Sequence, residues 1–246
     1  MTKTTPIRIA MWSGPRNLST TMMRSFGIRA DTACIDEPFY APFLAATGLD
    51  HPMASQILQQ CPDDPETVDA LLSTRPASAP IQYQKHMTHH MLPAFPTRFM
   101  GACRHAFLIR RPERVLASYQ RKMETLSLEA IGLPHQVAMF ERAIATTGKR
   151  PPVIDSDDLL AAPESMLRAL CQALDIGWDP AMLSWPAGPR FEDGPWAPHW
   201  YDTVWRSTGF GPPPGPLPHL SGPAAQIAAD ARPLYNQLAA HKLQPS

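Results

Sequence analysis

The amino-acid sequence predicts an α/β fold, a three-layer sandwich around a central parallel sheet. Short apolar segments alternate along the chain with stretches whose apolar residues recur at helical spacing, a pattern typical of parallel sheets covered by helices on both faces. The 246 residues, 44% hydrophobic and 18% charged, have the composition of an ordinary globular protein. We expect residues 1–246 to form a single domain.

Five apolar segments bounded by turn residues have the character of buried strands. They comprise residues 7–12, 32–36, 80–85, 106–110 and 152–155. Since ligands of such folds bind beyond the carboxyl ends of the strands, the residues that follow each strand are the candidates for a site.

Helices are predicted where apolar residues recur three or four positions apart. They comprise a stretch from about Leu18 to Gly27, residues 54–60 and 65–72, a helix that begins at Pro112 and carries Met123, a helix that covers Val137 and ends at Gly148, residues 163–174, and a C-terminal helix over about 224–243. Pro233 lies inside the last helix and predicts a kink or a restart there.

The 29 prolines of the chain are concentrated between about residues 186 and 223, a segment that is also rich in tryptophan. Proline lacks an amide hydrogen, so this segment cannot form a central strand or one continuous helix. We expect an irregular surface loop or a partly mobile lid.

The formal net charge of zero argues against nucleic acid or an anionic membrane as a partner, and no apolar run is long enough to cross a bilayer. The N-terminus has no charged region followed by a long apolar stretch, which indicates no secretory signal. Four scattered cysteines fit reduced thiols and a cytoplasmic location. We expect the partner to be a small molecule.

A first candidate anion site follows the first predicted strand, where the chain enters a helix. A helix N-terminus offers unpaired amides and about half a positive charge. Arginine and hydroxyl side chains add further donors for phosphate or sulfate. The candidate residues are Ser13, Gly14, Pro15, Arg16, Asn17, Leu18, Ser19, Thr20 and Thr21. An ordinary strand-to-helix turn with a Ser/Thr-rich cap is the alternative interpretation.

The loop is not that of a nucleoside triphosphatase, which needs a lysine followed by serine or threonine after two spaced glycines. Here there is one glycine and no lysine. This difference argues against magnesium-dependent ATP chemistry.

The run from Pro15 to Thr20 resembles the 5′-phosphosulfate loop of the sulfotransferase superfamily, commonly Pro-Lys-Ser-Gly-Thr-Thr. It departs from that pattern in two places, since arginine replaces lysine and the glycine is absent. The longer run around it is similar to bacterial sulfotransferase-like proteins, some of which carry a branched-chain aminotransferase label that no residue pattern here supports. The resemblance implies a P-loop-like sulfotransferase fold and the donor 3′-phosphoadenosine 5′-phosphosulfate, with no metal.

The resemblance also implies a strand-end arginine and, eight residues later, a helical serine that together bind the 3′-phosphate of the donor. Arg110 and Ser118 have this separation, and Arg111 or Arg114 could substitute for Arg110. A softer match over residues 153–164 extends the resemblance to about residues 7–177.

Sulfuryl transfer needs a base for the acceptor proton and cations near the leaving oxygen. Arg16 is placed for the second task. Glu37 and His86 are both candidates for the base, and we prefer Glu37, with Lys85 as an electrostatic helper. Because side chains alternate along a strand, we expect only one of Lys85 and His86 to face the site.

The remaining candidates are less specific. Arg206, Ser207 and Thr208 could replace the missing Arg-Lys-Gly of the family's nucleotide-covering loop. Phe39, Tyr40, Trp196 and Trp200 are candidates for binding an apolar acceptor, and the two tryptophans could instead stack on adenine. His86, His89 and His90 have a spacing that suggests a metal site, but the glutamate of an HExxH motif is missing.

The sequence therefore predicts transfer of a sulfuryl group to a hydroxyl or amine of an unidentified small molecule. A small-molecule kinase-like phosphotransferase and a non-catalytic nucleotide-binding protein are the alternatives.

Overall fold

In the computed structural model, residues 5–74, 77–119 and 126–245 are described. Its sheet has five parallel strands in the order β2-β3-β1-β4-β5. The strands are β1 (Ile7–Ser13), β2 (Thr32–Asp36), β3 (Ile81–Met87), β4 (Cys103–Ile109) and β5 (Val153–Asp155). All five predicted strands are present, and the predicted α/β sandwich with a parallel sheet is confirmed.

Eleven α-helices occur in the described ranges. They are α1 (Ser19–Gly27), α2 (Tyr40–Thr47), α3 (Ala54–Gln60), α4 (Pro65–Thr74), α5 (Pro112–Tyr119), α6 (Leu133–Thr147), α7 (Ser156–Ala161), α8 (Pro163–Ala173), α9 (Ala197–Trp200), α10 (Asp202–Trp205) and α11 (Gly222–Ala239). The prediction that the α5 helix carries Met123 falls outside the described residues. Helix α11 continues through Pro233, so the predicted restart is not found.

Two apolar cores lie on the two faces of the sheet, because alternate strand residues point to opposite sides. On one face, side chains such as Met11 and Tyr83 pack with the buried residues of α1, α2 and α8. On the other face, Trp12 and Phe107 pack with those of α4, α5, α6 and α11. No helix within the described ranges is both long and apolar enough to span a membrane.

The position of β1 sets the place of the site. The chain runs from β1 to β2 at one edge of the sheet, returns to β3 beside β1, and then crosses to β4 and β5 on the other side. At the carboxyl ends of β1, β3 and β4, the chain connections therefore leave toward opposite sides of the sheet. The space between them is where parallel α/β sheets bind ligands.

The Pro/Trp-rich segment covers this edge of the sheet. Before α11 begins at its end, it contains only the short helices α9 and α10 and is otherwise irregular. The guanidinium of Arg24, a buried residue of α1, forms an ion pair of 2.7 Å with Asp193, and Asp193 also accepts a hydrogen bond of 3.0 Å from the indole of Trp205. These contacts tie the segment to the helix that follows β1.

Candidate active site

A cavity of about 270 Å³ opens at the carboxyl edge of the sheet. Its walls combine the loop after β1, the ends of β2, β3 and β4, and the α9–α10 part of the Pro/Trp-rich segment. Of the predicted site residues, the following line it: Pro15, Arg16, Asn17, Leu18, Ser19, Thr20, Thr21, Glu37, Tyr40, Lys85, Arg110 and Trp200.

The loop between β1 and α1 has an unusual backbone. Arg16 and Leu18 both adopt left-handed conformations, with φ angles of 62° and 65°. A side chain on Gly14 would approach the carbonyl oxygen of Ile131 to 2.9 Å, and one on Gly132 would approach the ring of Pro15 to 2.8 Å. The two glycines therefore let the loop and the start of α6 pack at backbone contact.

Buried hydrogen bonds hold the loop against the ends of β4 and β5. The amide of Asn17 donates to the carbonyl of Leu108 over 3.0 Å. The hydroxyl of Ser156 donates to the carbonyls of Asn17 and Ile109, at 3.1 and 2.8 Å. The loop is thus fixed by residues from distant parts of the chain.

The two predicted phosphate sites meet in the structure. Arg16 Nε donates to Ser118 Oγ over 3.0 Å, although the residues are 102 positions apart. Arg110 Nη1 donates to the carbonyl oxygen of Arg16 over 2.7 Å. Arg110 Nε is buried and has no hydrogen-bond partner among the described residues, and burial lowers the pKa of Arg110. Three donor-bearing side chains therefore converge beside the first turn of α1.

Opposite the loop lies a buried charged cluster centred on Lys85. Its ammonium contacts Asp36 Oδ1 at 2.8 Å, Glu37 Oε1 at 2.5 Å and the hydroxyl of Tyr201 at 2.6 Å. The Tyr201 hydroxyl donates in turn to Asp36 Oδ2 over 2.6 Å. All three N–H donors of Lys85 are used within the protein, so its charge acts on Glu37 and Asp36 and not directly on a ligand.

Burial raises the pKa of Glu37, and the nearby charge of Lys85 opposes that shift without cancelling it. For Lys85, burial lowers the pKa, but Asp36 and Glu37 outweigh burial and the net shift is upward. A carboxylate that lines the cavity, with a raised pKa and one oxygen fixed by an ammonium, has the properties of a general base.

His86 lies on the opposite face of β3 from Lys85. It is buried, its ring stacks on Trp12 at 4.4 Å, and its Nε2 is 3.1 Å from Gln84 Oε1. Burial lowers its pKa to about 3. His86 does not line the cavity, and Lys85 is the member of the pair that does.

Several other predicted residues stand outside the cavity wall. Ser118 is not part of the wall, but its hydroxyl accepts a hydrogen bond from Arg16, which is. Phe39 packs on Phe95 and Phe99 in the core. Others are Ser13, Gly14, Trp196, Arg206, Ser207 and Thr208. The side chain of Arg206 is exposed and pairs with Asp202, and the Ser207 hydroxyl accepts a hydrogen bond from Trp185.

Sequence reasoning missed Tyr201, His51 and Tyr119, which all line the cavity. Tyr201 directly follows Trp200, so the argument that selected Trp200 also applied to it. Asp36 could have been paired with Lys85 in advance, because both lie near the carboxyl ends of neighbouring strands and are opposite each other in the register. Within the described ranges, no group of three His, Cys, Asp or Glu side chains is arranged to hold a metal ion.

The buried histidines predict a loss of stability in acid. Burial lowers the pKa of His86 and His89 to about 3, below the ordinary value of 6.5. Because the unfolded chain then binds more protons, their contribution is complete above pH 6.5 and is lost as the pH falls toward 3. We expect His86 and His89 each to lower the free energy of unfolding by about 1.4 kcal/mol for every pH unit by which the pH falls below about 6.

Urea denaturation between about pH 7 and pH 5 measures this dependence. His86→Phe keeps a stacking ring and should reduce the slope by one histidine's share, about 1.4 kcal/mol per pH unit. A slope identical to that of the wild type would show that His86 titrates normally in the folded protein.

A family model described as Sulfotransferase domain matches residues 7–242 of the chain. Two Arabidopsis thaliana proteins, Branched-chain-amino-acid aminotransferase-like proteins 2 and 1, are 38% and 39% identical to it over 238 and 241 residues. These alignments cover 95% and 96% of this chain but 41% and 42% of the plant proteins. The chain thus spans about two fifths of the length of these relatives.

Solved structures share the fold. The sulfotransferase domain from the Synechococcus PCC 7002 olefin synthase superposes with a TM-score of 0.57 at 18% identity, covering 94% of this chain and 96% of that one. A sulfotransferase from Alicyclobacillus acidocaldarius gives a TM-score of 0.55 at 12% identity, with 98% of each chain covered. The sulfotransferase domain from the curacin biosynthetic pathway gives 0.53 at 15% identity, covering 93% of this chain and 98% of that one.

Proposed function

This chain belongs to the sulfotransferase domain family, and on that premise we propose that it transfers a sulfuryl group from 3′-phosphoadenosine 5′-phosphosulfate to a hydroxyl or amine of a small-molecule acceptor. The observation that carries the proposal is the convergence of Arg16, Ser118 and Arg110 at the N-terminus of α1, opposite the carboxylate of Glu37. Transfer of a sulfuryl group from one oxygen to another needs cations that stabilise the leaving oxygen and a base that takes the acceptor proton. The two ends of this cavity offer these two functions.

The loop residues fit an anionic donor. Ser19, Thr20 and Thr21 line the cavity, and the first turn of α1 has no acidic residue. The first-turn amides and Arg16 would hold the 5′-phosphosulfate, and Arg110 with Ser118 would hold the 3′-phosphate. The unpartnered Nε of Arg110 leaves one buried donor for such an anion.

The transfer forms one bond and breaks another. A bond forms between the acceptor oxygen and sulfur, while the bond from sulfur to the bridging phosphate oxygen breaks. The acceptor proton passes to Glu37, and the electron pair of the broken bond leaves with the 5′-phosphate of 3′,5′-adenosine bisphosphate. Arg16 stabilises the charge on that leaving oxygen, and Lys85 orients Glu37 through the contact of 2.5 Å.

A melting experiment tests the donor assignment. We expect saturating 3′,5′-adenosine bisphosphate to raise the melting temperature by about 5–10 °C, since ligand at a hundred times its dissociation constant adds about 2.7 kcal/mol. ATP with Mg²⁺ should not raise it. A shift with ATP and Mg²⁺ alone would favour the kinase-like alternative, and no shift with either nucleotide would overturn the proposal.

The variant Arg110→Ala, in the same melting experiment, tests which residue binds the 3′-phosphate. We expect the variant to lose the preference for nucleotides with a 3′-phosphate, because charge-assisted hydrogen bonds to phosphate are strong. Arg142→Ala, which changes an exposed arginine of α6, is the matched control and should keep that preference. An unchanged preference in Arg110→Ala would assign the 3′-phosphate to another residue.

A further inference from the structure

The cavity has a second end that the donor assignment leaves unused. The turn Thr88–His90 follows β3 directly, and its residues His89 and His90 line the cavity together with His51 and Tyr40. We propose that this histidine-lined end is the acceptor subsite, and that it takes a small uncharged compound with two hydrogen-bonding groups. This inference rests on the proposed function, because it names the class of acceptor for the same site.

Unpartnered nitrogens mark this end as a binding surface. The Nδ1 atoms of His89 and His90 are buried and have no hydrogen-bond partner among the described residues. Buried polar atoms without partners are rare in folded proteins, and they are satisfied when a ligand supplies the missing group. The Nδ1 atom of a neutral imidazole donates in one tautomer and accepts in the other. Each of these two Nδ1 atoms can therefore pair with a hydroxyl group, which can both donate and accept.

The position of His90 connects the subsite to the base. His90 Nδ1 is 3.7 Å from Glu37 Oε2, too far for a direct hydrogen bond but close enough for one oxygen atom to contact both. A hydroxyl held there would have its proton directed at Glu37. His89, the neighbouring residue, is then available for the second hydrogen-bonding group of the acceptor.

Aromatic rings packed against one another form the wall of the subsite. The ring of His90 stacks on Tyr40 at 4.4 Å, with an interplanar angle of 14°, and on Phe43 at 5.0 Å. The Tyr40 hydroxyl lies 3.1 Å from His51 Nδ1, and the ring of His89 packs edge-on against Phe43. Such a wall suits a small ring, since aromatic groups bind through stacked or edge-to-face contacts.

Charge selects against an ionised acceptor. Among the described residues that line the cavity, the cations are Arg16, Arg110 and Lys85. Arg16 and Arg110 are linked at the loop, and Lys85 is surrounded by three oxygen atoms of the protein. An anionic acceptor would therefore meet Glu37 without an available cation. A cationic acceptor would compete with Lys85 for a carboxylate that is already paired.

Three probes that share one ring test the class of acceptor. They are 2-(4-hydroxyphenyl)ethanol, which is uncharged, 4-hydroxyphenylacetate, which is an anion, and tyramine, which is a cation. Each is titrated by calorimetry into protein saturated with 3′,5′-adenosine bisphosphate. We expect the uncharged probe to bind at least about tenfold more tightly than either charged one. Tighter binding of the anion or the cation, or no binding of any probe, would overturn the inference.

A second comparison tests the role of His89. In the wild type, 4-ethylphenol, which lacks the second hydroxyl, should bind about tenfold more weakly than 2-(4-hydroxyphenyl)ethanol. His89→Phe should abolish that difference, and His89→Gln, which keeps a hydrogen-bonding group, should retain it. The control His241→Phe changes a ring that stacks on Phe140 outside this cavity and should behave as the wild type. A tenfold preference that persists in His89→Phe would contradict the assignment.

The two claims fail separately. If 3′,5′-adenosine bisphosphate does not bind, the donor assignment fails and the proposed function with it. If the nucleotide binds and no probe does, the acceptor inference alone is wrong. The nucleotide-induced rise in melting temperature also shows whether each histidine variant is folded, and the comparison of probes in the wild type stands without the variants.

Discussion

Replacement of Glu37 by glutamine is expected to lower the turnover number about 10²- to 10⁴-fold, the range that a general base contributes. Glutamine keeps an oxygen for the ammonium of Lys85, which contacts Glu37 Oε1 at 2.5 Å, so the buried cluster can persist. It cannot accept the acceptor proton. Nucleotide binding should be unchanged, because Arg16 and Arg110 hold the other end of the cavity.

The assay uses the best acceptor from a screen of hydroxyl compounds with labelled donor. His86→Asn is the informative comparison, since His86 is the other candidate for the base. It lies on the opposite face of β3, stacked on Trp12, and we expect its turnover to remain within about tenfold of the wild type. A larger loss in His86→Asn than in Glu37→Gln would reverse the assignment of the base.

Replacement of Lys85 by methionine is expected to lower the free energy of unfolding by about 3–5 kcal/mol, the cost of leaving buried charges without their partner. Only 1% of the Lys85 side chain is exposed, and it balances the carboxylates of Asp36 and Glu37. Methionine fills similar space, so the loss would come from the charges and not from a large cavity.

Urea denaturation near pH 7 measures this loss. Lys149→Met, at an exposed position after α6, is the matched control and should lie within about 0.5 kcal/mol of the wild type. The penalty in Lys85→Met should shrink at lower pH, where the unpaired carboxylates take up protons. A variant as stable as the control would mean that the carboxylates already share a proton in the folded protein.

The strands could be predicted because each is a short apolar run bounded by turn residues. Helix α2 was not predicted, although its residues are apolar. It contains Pro42, which lies in the first turn of α2, where no hydrogen bond from its nitrogen is needed. At Pro233 a kink or a restart was predicted, and the restart is not found. Helix α11 continues past it because buried residues on both sides, such as Ala231 and Tyr235, pack on the same core.

The proximity of Arg16, Arg110 and Ser118 was predictable from spacing, since Arg16 and Arg110 follow strand ends and Ser118 lies on the helix that begins after Arg110. The face on which a strand residue points was also foreseeable, as Lys85 and His86 show. The partners of Lys85 required the fold, because Tyr201 comes from a segment without periodicity, 116 residues away. Arg206 was selected by analogy with the family's nucleotide-covering loop, but its side chain is exposed and pairs with Asp202 outside the cavity.

Leu18 has a consequence for how the loop meets its ligand. It stands where the related loops commonly have glycine, yet it keeps the left-handed backbone, with a φ of 65°, at a cost of about 1–2 kcal/mol. Its side chain packs on the core beside α1. Glycine would relax this strain but would leave the free loop more conformations to lose on binding. With leucine, the conformational entropy is lost during folding, and the loop is preorganised before an anion arrives.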